Sequence, residues 1–245
     1  MIYLYTDFGV QDIYLGQMKA ALLKRAPLIP VVDLFHGCAA FDVTTAAILL
    51  DALVGQLPDA QGDVFVAVVD PGVGGSRRAV AVQADGVWFV GPDNGLLSIV
   101  TGRAEHRQYY EILWRPERLS ASFHGRDLFA PVASMLATDS LPEGSLRSIA
   151  TLNVNLTATE RERVIYVDHY GNAMTGIPAH LVVESDVLSV NGHVLGRAGV
   201  FSEVPKGQAF WYVNSLELVE IAVNGGSAAE KLGIGVGMPV SWVRE

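Results

Sequence analysis

Three aspartates directly follow apolar segments that we predict to be buried strands, namely Asp7, Asp70 and Asp168. In open α/β sheets, ligands bind outside the carboxyl ends of the strands, where a carboxylate can accept a proton or hold a cationic ligand. A single acid in such a place more often caps a helix or closes a turn. Because the feature occurs three times, we interpret these aspartates as candidates for a binding or catalytic site.

The segment after Asp70 is rich in glycine and ends in two arginines, Arg77 and Arg78. Its glycines permit close approach to a ligand, but the Gly-Lys-Ser/Thr ending of a phosphate-binding loop is absent. Arg77 stands seven residues after Asp70, so its side chain can fold back and pair with the acid. An ordinary turn with two solvated arginines is the alternative interpretation.

His124 lies in the segment 123–127, which we predict to open a helix. The exposed backbone N–H groups and the positive end of the helix dipole favour a neutral imidazole, which can accept a proton. A structural role is more common for a lone histidine, and His36, which follows a strand, has the same two interpretations. Arg126 and Asp127 fit a surface residue and a helix cap.

Two further polar clusters can contribute to a site. The turn 93–95 contains Asn94, which can face a ligand, and the segment after Asp168 supplies Tyr170 and Asn172. A carboxylate, an aromatic ring and an amide together can bind an amino group or the edge of a purine. The turn 93–95 also has a purely structural interpretation.

Alternating strands and helices over about the first 140 residues predict how these side chains are positioned. We expect strands at 1–6, 31–34 and 64–69, and helices at 12–25, 42–53 and 125–137. The dipeptide Asp85-Gly86 between two apolar runs predicts a β-hairpin. This order is typical of a layered α/β architecture with a largely parallel sheet.

The pattern changes after Pro142, where a polar stretch is followed by short apolar runs separated by turn signals. Such runs predict a small all-β barrel or sandwich. We therefore expect two domains, an α/β domain over 1–155 that carries the catalytic residues and a smaller barrel-like β domain over 160–245.

The composition limits the partners and the location of the protein. Of the 245 residues, 50% are hydrophobic and 18% charged, and the net charge of −9 argues against binding to nucleic acid or to anionic membranes. Cys38 is the only cysteine, so neither an internal disulfide nor a thiolate metal cage can form. No apolar run reaches the roughly 18 residues of a membrane span, and no basic region precedes the first strand. We expect a cytoplasmic protein without a signal peptide.

Six groups of residues occur in one order along almost the whole chain. They are Thr6-Asp7-Phe8-Gly9 with Asp12, Tyr14, Gly16 and Met18; 69–74 with Arg77; 91–95; 123–131; Asp168 with Gly171-Asn172; and Asn214-Ser215 with 220–222 and Asn224. In this order they resemble the S-adenosylmethionine hydrolases, also called S-adenosylmethionine hydroxide adenosyltransferases. That family is related to the fluorinating and chlorinating adenosyl-halide synthases.

The resemblance implies a fold, an assembly and a set of site residues. It implies an α/β domain followed by a β-barrel-like domain, and a homotrimer with active sites between neighbouring subunits. The implied catalytic set around a water is Asp70, Arg77 and His124, with no metal and no cofactor other than the substrate. The implied substrate contacts are Asp7 to the ribose hydroxyls, Phe41 as a wall, Asp168 and Ser215 to the methionine part, Asn172 to adenine, and Asp12, Gly125 and Tyr170 nearby.

Two positions depart from the pattern of the relatives. Glu217 stands where they usually have glycine, which adds bulk and charge near the expected methionine carboxylate. The segment Asp33-Leu34-Phe35-His36 replaces a usual Asp-Ile-Thr-His, which we interpret as a local packing change.

The implied reaction is attack of water on C5′ of S-adenosylmethionine, which releases adenosine and L-methionine. The sulfonium leaves as a neutral thioether, so the site needs only to orient water and stabilise its developing hydroxide character. We expect Asp70 to accept a hydrogen bond or proton, Arg77 to favour the anionic form and His124 to act as a further acceptor. Asp70 would also repel a halide, by about 4 kcal/mol at 4 Å for an effective dielectric constant near 20.

Two other functions stay open at this point. One alternative is a metal-dependent nucleotide phosphohydrolase. Its metal ion could be bound by the carboxylates and the imidazole of Asp7, Asp70, Asp93, Asp127 and His124, although no close-spaced ligand pair supports it. A non-catalytic protein that binds an adenosyl ligand is the other alternative, and Glu217 keeps it open.

Overall fold

The computed structural model describes residues 1–57, 60–156 and 161–243. The chain divides into two compact units. The first contains residues 1–50 and 57–156, and the second contains residues 51–56 together with the chain from 157 onward. Each unit has its own apolar core.

The first unit is built on a seven-stranded sheet. Its strands are β1 (Ile2–Thr6), β2 (Val31–Phe35), β3 (Val64–Val68), β4 (Ala79–Ala84), β5 (Val87–Pro92), β6 (Arg107–Ile112) and β7 (Leu146–Ile149), in the spatial order β2-β1-β3-β5-β4-β6-β7. The four strands from β2 to β5 in that order are parallel, and β4, β6 and β7 continue the sheet with antiparallel pairs. Because β1 and β3 are parallel neighbours, the segments after Thr6 and Val68 leave the same edge of the sheet.

The chain between these strands forms helices. They are α1 (Ile13–Arg25), α2 (Val43–Gly55), α3 (Ser98–Gly102) and α4 (Ala130–Ala137), the last preceded by one π-helical turn at Gly125–Phe129. Helix α2 runs from the first unit into residues 51–55 of the second. Leu15, Met18 and Leu22 of α1 are buried in the core with β1, β3 and α4. Asp42 caps α2, because its carboxylate accepts from N and Oγ1 of Thr45 at 3.0 and 2.6 Å.

The expected hairpin between β4 and β5 is confirmed. Asp85 and Gly86 have φ values of 48° and 83°, the left-handed values that a two-residue type I′ turn requires. Such a turn keeps the strict pairing register that places β5 against β3.

The second unit consists of two antiparallel sheets. One contains β8 (Val164–Val167), β9 (Ala173–Pro178), β12 (Ala209–Val213) and β13 (Leu218–Val223), in the order β12-β13-β9-β8; the other contains β10 (Val187–Val190), β11 (His193–Leu195) and β14 (Val240–Val243), in the order β11-β10-β14. Trp211 is fully buried between apolar residues of both sheets, and one short helix, α5 (Ala228–Leu232), packs on the same core. The expected fold class, an α/β part followed by a β part, is confirmed. No helix in the described ranges is both long and apolar enough to span a membrane.

Candidate active site

A cavity of about 240 Å³ opens in the first unit where β1 and β3 end. Six residues that the sequence analysis assigned to the site line it: Asp7, Asp12, Phe41, Asp70, His124 and Gly125. They come from four loops that are distant in the sequence, and the parallel strands β1 and β3 bring two of these loops to one edge of the sheet. Phe8, Tyr14 and Phe123 add an aromatic wall in which the rings meet edge to face.

Asp70 and Arg77 form the predicted ion pair. The Nε atom of Arg77 lies 2.9 and 3.0 Å from the two carboxylate oxygens of Asp70, and its Nη2 atom also donates to Oδ2. Only 5% of the Asp70 side chain and 11% of the Arg77 side chain are exposed to solvent. Burial and this forked geometry make the pair rigid, because a guanidinium binds a carboxylate best through two parallel hydrogen bonds.

Arg77 also holds His124. Its Nη2 atom lies 3.0 Å from Nδ1 of His124, and its guanidinium lies over the Phe129 ring at 5.4 Å from the ring centre. A guanidinium can only donate, so Nδ1 must be the acceptor and the proton of the neutral ring must be on Nε2. In the described part of the chain, Arg77 is not among the residues that line the cavity; it lies behind Asp70 and His124 and orients both.

The pKa of His124 is lowered from its usual value of 6.5, first by burial and next by the positive charge of Arg77. The neutral imidazole that we expected is therefore favoured, but the main causes differ from the helix dipole that the sequence suggested. The expected acceptor role needs a correction as well. Because Nδ1 is engaged by Arg77, the free nitrogen of the neutral ring is Nε2, which donates a hydrogen bond.

A close backbone contact holds the loops of Arg77 and His124 together. Gly74 has φ 77°, and a Cβ atom built on it would overlap the carbonyl oxygen of Ala121. Only glycine tolerates both conditions at this place. The loop after Asp70 can therefore lie directly on the loop before His124, which brings Arg77 within reach of the ring.

Asp7 and Phe41 also line the cavity and contact each other. The backbone N–H of Phe41 donates to Oδ2 of Asp7 at 3.1 Å. Phe41 has φ 66° and is 74% exposed as a residue, an unusual combination for a bulky residue. Strained backbone of this kind is concentrated at binding sites, where the surrounding structure maintains it. Asp12 begins α1 without making a capping hydrogen bond from its side chain, and it lines the cavity too.

A second, larger cavity of about 1000 Å³ lies within the second unit. The remaining predicted substrate contacts line it: Asp168, Tyr170, Asn172 and Ser215. The Asp168 carboxylate accepts from the backbone N–H groups of Tyr170 and Asn172 at 2.9 and 2.8 Å, and from the Asn172 amide at 2.9 Å. It therefore shapes its own loop, and a carboxylate with about four lone-pair positions still has room for a ligand.

Two residues of this second cavity escaped the sequence analysis as site residues. Glu220 is only 5% exposed, and its carboxylate accepts from the Tyr212 hydroxyl and from the Asn214 amide. Tyr212 and Glu220 are directly opposite each other on β12 and β13. The signal that could have identified them is an acid inside the apolar run 218–223, since a buried carboxylate needs hydrogen-bond partners.

Glu217 does not line the second cavity in the described part of the chain, and its side chain is exposed. Its φ is 57°, a left-handed value at which glycine is the favoured residue. The backbone thus explains why a glycine is usual at this position, without any contact to a ligand.

Other residues that the sequence suggested for the site are bound to structural partners. Asp93 pairs with Arg78 and accepts from the backbone N–H of Asn153 at 2.9 Å, and Asp127 pairs with Arg126. The Asn94 amide donates to the carbonyl of Val69 at 2.8 Å, so it supports the residue before Asp70. Within the described ranges, no three His, Cys, Asp or Glu side chains gather into a group that could hold a metal ion. The phosphohydrolase alternative therefore gains no support from the geometry.

Comparisons with known proteins agree along the whole chain. Residues 2–145 match the sequence model of the SAM hydroxide adenosyltransferase N-terminal domain, and residues 162–241 match that of the C-terminal domain. A protein of Thermus thermophilus named (R)-S-adenosyl-L-methionine hydrolase is 39% identical, with 98% of each chain covered. A protein of the same name from Salinispora arenicola is 38% identical, with 94% of this chain and 92% of the relative covered.

Solved structures give the same result for the fold. An uncharacterised conserved protein of Thermotoga maritima has a TM-score of 0.88 at 30% identity, with both chains covered completely. A conserved hypothetical protein of Thermus thermophilus has a TM-score of 0.78 at 38% identity, with 99% of each chain covered.

Proposed function

The chain belongs to the SAM hydroxide adenosyltransferase family, and we propose that it hydrolyses S-adenosyl-L-methionine to adenosine and L-methionine. The observation that carries this proposal is the partly buried cluster of Asp70, Arg77 and His124 at the wall of a cavity with further acids. Curated relatives are named as hydrolases of the R form, so we propose the R configuration at the sulfonium for this substrate as well.

The cluster suits the activation of one water molecule. The Asp70 carboxylate accepts a hydrogen bond from the water and receives its proton as the new C5′–O bond forms. The Nε2–H group of neutral His124 donates to the water oxygen, which leaves a lone pair free to point at C5′ and stabilises the developing negative charge. Arg77 does not touch the water in this arrangement. It fixes the directions of the carboxylate and the imidazole, and burial together with its permanent charge lowers the pKa of His124 and favours the neutral imidazole.

The leaving group makes no further demand on the protein. Cleavage of the C5′–S bond converts a sulfonium into the neutral thioether of methionine, so no general acid is required. The reaction also needs neither a metal ion nor an organic cofactor. Positioning of water and C5′ within a closed site can account for about 7–11 kcal/mol of the barrier at best.

Asp70 explains the choice of water over halide. A halide beside this carboxylate would experience a like-charge repulsion, which the paired Arg77 guanidinium offsets in part. For the carboxylate alone the repulsion is about 4 kcal/mol at 4 Å and an effective dielectric constant near 20. A neutral water experiences none. The positively charged sulfonium, by contrast, is attracted by Asp7 and Asp12 on the same cavity.

We assign the substrate contacts as follows. Asp7 holds the ribose hydroxyls, Phe41 covers the ribose and sulfonium, and Asp12 and Gly125 complete the first cavity. In the second cavity, Asp168 and Ser215 hold the methionine part, and Asn172 and Tyr170 hold the adenine. We further propose a homotrimer in which neighbouring subunits complete each active site. A cytoplasmic location is also proposed, because a chain with one cysteine needs no oxidising compartment for disulfides.

The proposal is tested by incubating the purified protein with S-adenosylmethionine and separating the products by chromatography. We expect equal amounts of adenosine and methionine, unchanged by EDTA and without 5′-chloroadenosine in high chloride. Comparison of the two sulfonium epimers should show turnover of the R form alone. Tight binding without products would favour a non-catalytic binding protein, and metal-dependent release of phosphate from nucleotides would favour a phosphohydrolase.

A further inference from the structure

His36 lies at the carboxyl end of β2, beside the loop that carries Asp7, and the mechanism above gives it no role. Its side chain is 1% exposed. The ring nitrogen Nδ1 lies 2.8 Å from Oγ1 of Thr6, and Nε2 lies 3.1 Å from Oδ1 of Asp33. A buried imidazole with a partner on each nitrogen has a fixed orientation, so its contacts can position other groups.

For a neutral His36, the hydrogen bonds around the ring have one consistent direction. Asp33 also pairs with Lys19 at 2.6 Å. Burial raises the pKa of the Asp33 carboxyl, but the hydrogen bonds from Lys19 and His36 have the larger combined effect. The pKa of Asp33 is therefore lowered from its ordinary value. An ionised carboxylate only accepts, so Nε2 of His36 donates to Asp33. In the neutral ring Nδ1 is then an acceptor, and the Thr6 hydroxyl donates to it.

This direction matters for the loop after β1. The Thr6 hydroxyl oxygen accepts the backbone N–H of Phe8 at 3.2 Å, and the backbone carbonyl of His36 accepts the N–H of Gly9 at 2.7 Å. Asp7 lies between these fixed points. Its side chain is held from the other side by the N–H of Phe41, which follows the same strand β2. The segment after β2 thus determines where the Asp7 carboxylate points.

We propose that His36 is a positioning residue for Asp7. It acts through the Thr6 hydroxyl and its own carbonyl, and it thereby sets the affinity of the first cavity for the ribose hydroxyls of the substrate and of the adenosine product. This inference rests on the proposed function, because the contact between Asp7 and the ribose is part of that proposal.

A matched pair of substitutions separates positioning from simple packing. In His36→Asn the amide oxygen can replace Nδ1 as acceptor for Thr6, whereas in His36→Gln the amide can replace only the Nε2–H that serves Asp33. Both remove a buried ring. We expect His36→Gln to weaken adenosine binding in calorimetry about tenfold, equivalent to about 1.4 kcal/mol. His36→Asn should stay within about threefold of wild type.

A second comparison links the effect to Asp7. The weakening in His36→Gln should disappear for 2′,3′-dideoxyadenosine, which lacks the hydroxyls that Asp7 is proposed to hold. Thr6→Val should behave as His36→Gln does, and Thr6→Ser as wild type. In turnover of S-adenosylmethionine, the sensitive variants should show a raised KM with kcat nearly unchanged.

The outcomes distinguish the two proposals. Equal adenosine affinity in His36→Gln and wild type, or an equal loss for the dideoxynucleoside, would overturn the role of His36 while leaving hydrolysis intact. A wild-type protein that binds adenosine but releases none from S-adenosylmethionine would overturn the hydrolase, and the variants would still report on Asp7. If wild type binds no adenosine, the role of His36 in ribose binding is wrong, whereas hydrolysis is still decided by release of adenosine from S-adenosylmethionine.

Discussion

The Nη2 atom of Arg77 lies 3.0 Å from Nδ1 of His124, although the two residues are 47 positions apart in the sequence. An imidazolium carries a proton on both nitrogens and cannot accept this bond. The same guanidinium pairs with Asp70, so one cation fixes both side chains that face the proposed water. The protonation state of His124 is therefore coupled to Arg77.

The first prediction concerns the titration of His124. By NMR, its pKa should lie below 6.5 in the wild-type protein and rise in Arg77→Met, because the nearby positive charge is lost while the charge of Asp70 remains. Arg77→Lys keeps the charge and should keep a lower pKa than Arg77→Met. The activity requires the neutral ring, so kcat/KM should be constant above the His124 pKa and fall below it.

The lowered pKa of His124 also determines how this residue changes the free energy of unfolding with pH. Above about pH 6.5 both the folded and the unfolded His124 are neutral. As the pH falls, the unfolded state binds the proton first, so this group lowers the free energy of unfolding until the folded pKa is passed. A wild-type His124 pKa at or above 6.5 would contradict the contact with Arg77.

The second prediction concerns the glycine that joins the two loops. Gly74→Ala should reduce kcat/KM by at least about tenfold, because the new methyl group must separate the loop of Arg77 from Ala121. Gly72→Ala is the matched control. A Cβ there meets Cγ of Arg77 at 3.6 Å, an ordinary contact, and φ is not left-handed. Equal losses in both variants would show that the backbone contact has no special role.

Contacts that depend on local geometry could be predicted from the sequence, whereas contacts between distant loops could not. The pairing of Asp70 with Arg77 follows from their spacing of seven residues, and the hairpin at Asp85-Gly86 follows from turn chemistry, since both depend on local geometry. The contact of Arg77 with His124 depends on how two distant loops pack. The sequence therefore identified the members of the cluster but not that Arg77 is the partner of Nδ1 in His124.

The same distinction applies to the second unit. The apolar runs and turn signals predicted antiparallel strands, because alternation and turns are local properties. The buried pair of Tyr212 and Glu220 becomes visible only when β12 and β13 are paired in register. The cause of the glycine preference at Glu217 is likewise a backbone angle, which spacing alone does not reveal.

The third prediction concerns Glu217. Glu217→Gly should raise the free energy of unfolding by about 0.5–1 kcal/mol, since glycine relieves the left-handed backbone and gives back part of the gain through its larger unfolded-state entropy. The midpoint of denaturant unfolding measures this change. KM for S-adenosylmethionine should change less than about twofold, because the exposed side chain does not line the second cavity in the described ranges. A large fall in KM would instead show that Glu217 obstructs the methionine part.

The fate of the water oxygen is the most direct test of the proposed reaction. Wild-type protein in oxygen-18 water should release adenosine that carries the heavy isotope at its 5′-oxygen, together with unlabelled methionine. Asp70→Asn, which keeps the shape of the side chain but not its basicity, should slow this release by about 10²–10⁴-fold. Unlabelled adenosine, or an unchanged rate in Asp70→Asn, would contradict attack on C5′ by a water that Asp70 activates.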